Sequence, residues 1–208
     1  MGTQKVTTTA TTSYSDGAAG DLVLNKRVEV EGAFNASGFL VAARISFRSD
    51  TTTRFQGTVY ALNMTNKTLT IFGVTISTST ATSFEDDSSA NARPFGYSQL
   101  RTGDYLELRG AEGTTPLTAA ATVIVRRNLD SRRELQALPR IIALPNFTLV
   151  GVPVATTTAT VFTGVPGVSG NATQAQFFAQ MPGRTVKVRG TWNGAVFAAT
   201  EAQLENLN

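Results

Sequence analysis

The chain has 208 residues, 41% of them hydrophobic, and 18 Lys+Arg against 15 Asp+Glu leave a formal charge of +3. That is enough apolar material for a real core and too little one-sided charge for a polyanion-binding face. Neither Cys nor His occurs, which removes thiolate nucleophiles, imidazole acid–base catalysis and the usual zinc ligands. No apolar stretch approaches the roughly 20 residues that cross a bilayer, and Met1 leads into Thr-rich sequence rather than a basic and then apolar leader. The sequence as it stands therefore predicts neither a transmembrane segment nor a signal peptide.

From the N-terminus, the first element is Thr9 to Tyr14 (TATTSY), followed by an eleven-residue phrase, Leu22 to Gly32, and an alanine-bearing strand, Phe39 to Phe47. The phrase returns at Leu100 to Gly110 and Gln180 to Gly190, each time with aliphatic residues on alternate positions and a closing glycine. This is the pattern of a half-buried strand that ends at a tight turn. Its flanks recur too: Val74 to Phe84 matches Val152 to Phe162, and Leu117 to Val125 and Val196 to Leu204 repeat the alanine strand. The chain is thus a three-copy repeat.

The copies occupy 1–50 (incomplete), 54–127 and 133–206. The second and third open with an additional strand pair, Phe55 to Leu62 with Thr68 to Phe72, and Leu135 to Ile142 with Phe147 to Val150, turning at Asn66-Lys67 and Pro145-Asn146. The first lacks that pair. Ser49 to Thr53 and Asn128 to Arg132 read as linkers, and Tyr97 to Leu100 and Ala175 to Met181 as short helical turns. Five strands per unit with few helices predict an all-β chain of tandem small five-stranded OB-like β-barrels, since closure removes exposed edges; a β-sandwich is the alternative. In the phrase, Val28 and Val30, Leu106 and Leu108, and Val186 and Val188 are expected to face inward, with Glu29, Glu107 and Lys187 outward.

The second copy carries Gly57-Thr58-Val59, Thr82-Ser83-Phe84, Leu100-Arg101-Thr102-Gly103, Leu106 to Gly110 and Ala119 to Ala121. In this it resembles a family of bacterial exported β-repeats catalogued only as a domain of unknown function, with members that run G-x-V, T-x-F, L-x-x-G-x-x-V-x-V-x-G and an Ala-bearing strand. The third copy lacks the opening G-x-V, and Asn25 replaces the inner glycine of the first. The resemblance implies an exported or envelope-associated protein, carries no known activity and transfers no catalytic residue.

Candidate sites are few, and none is catalytic. Glu85, Asp86 and Asp87 form an acidic loop of the kind that holds calcium, but Thr163-Gly164-Val165 stands there in the third copy, which favours a solvated loop. Tyr14, Phe84 and Phe162 share one repeat position and read as core plugs. The unrepeated Trp192, Tyr60 and Tyr97 are the better aromatic binding candidates. Arg126, Arg127, Arg132 and Arg133 bracket the second linker as an anion clamp or as an ordinary charged hinge, the hinge being favoured. N-glycosylation sequons stand at Asn35, Asn63, Asn66, Asn146 and Asn171.

With no nominee for acid and base, the expectation is a non-catalytic structural or interaction protein of the cell envelope or extracellular space, exported, without cofactor, metal or small-molecule substrate. The incomplete first copy should expose an unpaired edge, which leaves two readings open: a chain that starts inside a longer repeat array, or a half-unit that a neighbouring subunit or partner completes, assembling a fibre. A polysaccharide- or nucleic-acid-binding OB-like module is the alternative, with nucleic acid unlikely on charge.

Overall fold

The computed structural model describes residues 4–15, 18–23, 27–48 and 53–205. It is all-β, with about 49% strand and, among the described residues, one α-helix. The chain divides into two compact units, Met1–Asp50 and Thr51–Asn208. Asn25 and most of the first linker lie outside the described residues.

The first unit contains β1 (Val6–Thr7), β2 (Ser13–Ser15), β3 (Arg27–Phe34) and β4 (Leu40–Arg48). β4 is its spine: β3 pairs antiparallel along one edge, and β1 and then β2 pair parallel along the other. In the second unit, copy two supplies β5 (Thr53–Thr58), β6 (Ala61–Asn63), β7 (Thr68–Ile71), β8 (Val74–Ser77), β9 (Ser83–Asp86), β10 (Tyr105–Glu112) and β11 (Thr118–Arg127). Copy three supplies β12 (Glu134–Ala137), β13 (Pro139–Ala143), β14 (Asn146–Leu149), β15 (Val152–Ala155), β16 (Val161–Thr163), the helix α1 (Gln174–Gln180), β17 (Val186–Trp192) and β18 (Phe197–Leu204). Here β11 repeats the role of β4, with β10 antiparallel on one side and β8 then β9 parallel on the other. β18 does the same with β17, β15 and β16.

The eleven-residue phrase becomes β3, β10 and β17, and in each the closing glycine sits at a β-bulge. The register slips between Glu31 and Gly32, Arg109 and Gly110, and Arg189 and Gly190, leaving one extra residue on the partner strand: Ala43, Thr122 or Thr200. Only glycine fits there, because a Cβ at Gly110 would lie 2.0 Å from the Ala120 carbonyl oxygen, and one at Gly190 1.9 Å from that of Ala198. A buried threonine secures the far side of each bulge. The hydroxyls of Thr12, Thr82 and Thr160 donate to the carbonyls of Ala42, Ala121 and Ala199 at 2.7, 2.8 and 2.8 Å. Each also accepts the backbone N–H three residues earlier, at Thr9, Ser79 and Thr157, all at 2.9 Å.

The expectation of tandem small barrels, and with it the β-sandwich alternative, is corrected. The repeats wind as a β-solenoid of about three turns, and copies two and three share one fourteen-stranded sheet because their opening strands, β5 and β12, pair directly. Alternation along these strands puts one apolar row inside: Phe55, Leu106, Leu108, Leu135, Val186 and Val188 are fully buried in a single core that runs through both copies. Pairing between copies merges what short polar linkers were expected to separate. The phrase's inward and outward residues fall as expected in these two copies, whereas Val28 and Val30 of the first unit are only half-buried. The helical turns are a 3-10 turn at Tyr97–Gln99 and α1, which a Thr173–Gln176 capping box opens and which buries Phe177 and Phe178.

Replacing Thr160 with Val keeps the shape but leaves the buried Ala199 carbonyl and the Thr157 N–H without their partner, at a cost of about 1–3 kcal/mol. Gly190→Ala should cost more, since only backbone movement relieves its clash. Urea unfolding of the two variants checks both the loss and its order, and Gly96→Ala, which meets nothing closer than 3.6 Å, should be near neutral.

Candidate functional site

A cleft of about 500 Å³ opens between copies two and three, within the usual range for ligand pockets. Its position follows from the β5–β12 ladder. Phe55 faces Leu135, Arg54 faces Gln136 and Gln56 faces Glu134. Phe55 and Leu135 are repeat counterparts, since they pair with the equivalent phrase residues Leu108 and Val188. A ladder centred on equivalent residues relates the two copies by a local twofold.

That twofold creates two equivalent corners, and they are filled differently. In one, the two-residue hairpin turn at Phe72-Gly73, both at positive φ, packs against copy three. The Phe72 ring lies 6.0 Å from Trp192 and 5.3 Å, edge-on, from Phe197, and the indole covers Gly73. In the other, the matching turn is Val150-Gly151. Trp192 pairs with Phe197 across β17 and β18, and the equivalent pair across β10 and β11 is Glu112 and Ala119. Val150, Glu112 and Ala119 stand where the filled corner has three aromatic rings, and here the longer loop 113–118 covers the turn instead: Pro116 and Leu117 pack against Gly151, and the Leu117 N–H donates to the Val150 carbonyl at 2.9 Å, with the cleft opening beside them.

Glu112 and Gly151 line this cleft together with Thr53, Pro116, Leu138, Arg140 and Ile141. Arg140 Nη2 stands 3.8 Å from Glu112 Oε2, a long, partly exposed pair that holds neither group tightly. Ile141 is 79% exposed with φ at 43°, a left-handed conformation costly for a β-branched residue. It sits at the irregularity of the β13–β14 ladder, between Arg140 and Ala143. The lining joins apolar walls, threonine hydroxyls and one carboxylate–guanidinium pair, and so suits a ligand with a flat apolar body and a polar edge.

The residues singled out from sequence lie elsewhere and do not converge. Trp192 is half-buried against Phe72 and belongs to the packing of the filled corner rather than to an open face. Tyr60 is 80% exposed and stands apart, while the Tyr97 hydroxyl donates to the carbonyls of Thr68 and Asn63 at 2.6 and 3.1 Å, and burial raises its pKa. Phe162 is buried, but Tyr14 and Phe84 are half-buried, so the core-plug position is fully closed only in copy three. All five sequon asparagines are exposed, although the side-chain carbonyls of Asn35 and Asn63 accept backbone N–H groups within their own turns.

The acidic trio is split by strand alternation, which corrects its reading as a solvated or calcium-holding loop. Glu85 and Asp87 point outward and Asp86 is fully buried. Asp86 Oδ1 accepts from Arg126 Nε at 3.0 Å, and its two oxygens also take the N–H and hydroxyl of Ser88 and the N–H of Ala92. Arg126 lies 4.6 Å above the Phe95 ring and 3.7 Å from Asp104. Among the described residues no group of acidic side chains is placed to hold a metal ion. Nor do the four linker arginines form a clamp. Arg127 pairs with Asp87 at 2.6 Å and Glu107 at 3.1 Å, Arg133 lies over Tyr105 and donates to backbone carbonyls of the linker, and Arg132 is exposed. Pairing neutralises two of the four.

Sequence reasoning passed over Glu112, Arg140 and Ile141. The signal was present at the first: two positions beyond the phrase's closing glycine, copy three has an indole and copy two a carboxylate.

With the repeat geometry in place, comparison with known proteins gives one match, to the family described as Domain of unknown function (DUF5666), over residues 1–46, 56–121 and 140–202. The chain belongs to this family. Its three matched segments follow the three copies, so the DUF5666 pattern corresponds to the bulged strand pair and its parallel partners. No curated protein and no solved structure matches the chain.

The Arg126 guanidinium, helped by the Ser88 and Ala92 donors and against the penalty of burial, holds the Asp86 carboxyl well below its ordinary value near 3.8. The folded chain therefore binds fewer protons than the unfolded one in acid. The stabilisation is complete above that ordinary value and fades as pH falls below it towards the folded value. Unfolding free energy measured from pH 6 to pH 2 should decline at the acid end, and Asp86→Asn should flatten that decline while lowering stability at pH 6 by about 3 kcal/mol or more.

Proposed function

We propose that this DUF5666 chain is a non-catalytic interaction protein of the cell envelope or exterior whose first copy associates with a neighbouring subunit by strand addition along β3. The observation that carries this reading is the edge of that strand. Its counterparts β10 and β17 are paired on both sides, by β11 and β5 and by β18 and β12, whereas among the described residues β3 pairs with β4 alone. Its inner residues Val28 and Val30 keep partial exposure and Phe34 is 65% exposed, while Leu106, Leu108, Val186 and Val188 are fully buried. A sheet-edge strand beside an apolar row is the template that strand addition uses, and the chain uses the same device internally where β5 meets β12.

The non-catalytic part of the reading draws on the use made of the strongly shifted carboxylate. Asp86 is committed to Arg126 and to loop donors inside the fold, an architectural role. The exported location draws on the cysteine-free composition. No described helix is long and apolar enough to cross a membrane.

The second reading, expected above as an OB-like module, is a binding module for a polysaccharide or nucleic acid. In its favour, the cleft of about 500 Å³ between copies two and three combines threonine hydroxyls, apolar walls and the Glu112–Arg140 pair. Against nucleic acid, Arg126, Arg127 and Arg189 are each held by two carboxylates.

Sedimentation over a hundredfold range of concentration, combined with hydrogen exchange, separates the readings. Strand addition predicts concentration-dependent association with new protection across Arg27–Phe34. A concentration-independent monomer whose β3 amides are already protected would rule it out.

A further inference from the structure

Granted strand addition along β3, on which this inference rests, the two copies that carry an opening strand define the one that would complete β3. The bulge glycines Gly32, Gly110 and Gly190 make Glu29, Val30 and Glu31 the equivalents of Glu107, Leu108 and Arg109, and of Lys187, Val188 and Arg189. In copy three the residue before the bulge is the centre of a charged row. Arg189 on β17 pairs with Glu134 of the opening strand β12 at 2.8 Å and with Glu201 of β18 at 3.2 Å. Copy one carries that row with its signs reversed, since the exposed Glu31 on β3 faces the exposed Arg44 on β4. We infer that the strand added to β3 is the opening strand of a DUF5666 repeat on a neighbouring subunit, running antiparallel, with a cationic side chain across from Glu31.

The neighbouring positions follow from the same register. Phe55 faces Leu108 and Leu135 faces Val188, all four buried, so a large apolar side chain belongs across from the half-buried Val30. Gln56 faces Glu107 and Gln136 faces Lys187; an amide both donates and accepts, and across from Glu29 it donates. Gly57 and Ala137 face Leu106 and Val186, so a small residue belongs across from Val28. The sequence Arg54-Phe55-Gln56-Gly57 meets all four demands, whereas Glu134-Leu135-Gln136-Ala137 would set a carboxylate against Glu31. In its own copy Arg54 faces Arg109, and Arg109 reaches Glu107, two residues along its own strand, at 3.4 Å. An opening strand of the Arg54 type is therefore better matched in charge to β3 than to β10. Because β5 is itself held between β10 and β12, the added strand is one of its type and not β5 of the same chain.

The test is an amide NMR titration of the intact chain with two blocked peptides, one with the sequence of residues 53–59 and the other its Arg54→Glu form. The first is expected to shift the amides of residues 28–31 saturably, and the second to bind about three- to tenfold more weakly, the span between an opposite-charge and a like-charge cross-strand pair. In the Glu31→Lys chain the order of the two peptides should reverse. Equal affinity of the two peptides, or a Glu31→Lys chain that keeps the original order, overturns the charge-matched partner while leaving strand addition in place. Shifts at β3 from neither peptide overturn the opening-strand assignment. In that case, association with new β3 protection in the sedimentation and exchange experiment shows strand addition by a different strand, and a monomer with β3 already protected removes both. The comparison of peptides on the unaltered chain is decisive even if Glu31→Lys fails to fold.

Discussion

The structure depends on one recurring junction, the bulge where the eleven-residue phrase meets the alanine strand. An extra residue on one strand forces the two backbones together, so the opposing position must be glycine. Beside the bulge, the carbonyl of Ala42, Ala121 or Ala199 accepts from the hydroxyl of a threonine in the turn just before the neighbouring parallel strand. That threonine is itself held by a backbone N–H three residues earlier. A buried carbonyl without a partner is costly, so glycine, extra residue and threonine are mutually required. The junction also lets the alanine strand change neighbours from β8 to β9, or from β15 to β16, partway along its length.

Around this junction, each copy can vary its fillings. Copy three closes its end with α1 and two phenylalanines, and copy two ties a long loop down with the buried Asp86–Arg126 pair. These are different solutions to one problem, since an open end of the strand path must be covered either by apolar side chains or by a polar network with its hydrogen bonds satisfied. The two corners of the local twofold differ in the same way. Aromatic residues close one, while the longer loop carrying Pro116 and Leu117 covers the turn at the other and leaves a ligand-sized cleft beside it.

Much of this was legible from the residues alone. The recurrence of the phrase marked the copies, alternation assigned Leu106 and Leu108 inward with Glu107 between them, and the absence of Cys and His narrowed the chemistry. The repeated Thr-rich segment before each aromatic was visible as a pattern, but the task of its last threonine was not, because its partner carbonyl lies 30 to 39 residues away. Asp86 looked like one of three solvated carboxylates, and only its strand phase and the approach of Arg126 from 40 residues away turn it inward.

By itself, then, the sequence determined the repeat, the strands and the faces those strands present, since these follow from side-chain period and turn chemistry within a few neighbouring residues. Tertiary structure decided how the copies combine. Backbone edges carry no local record of their partners, so nothing in β5 or β12 announces that each pairs with the other, and the pairing turns expected separate units into one sheet with a shared core. The cleft follows from that choice. It exists because the twofold brings Glu112 of one copy to the turn at Gly151 of the next, a meeting of residues that no local pattern encodes.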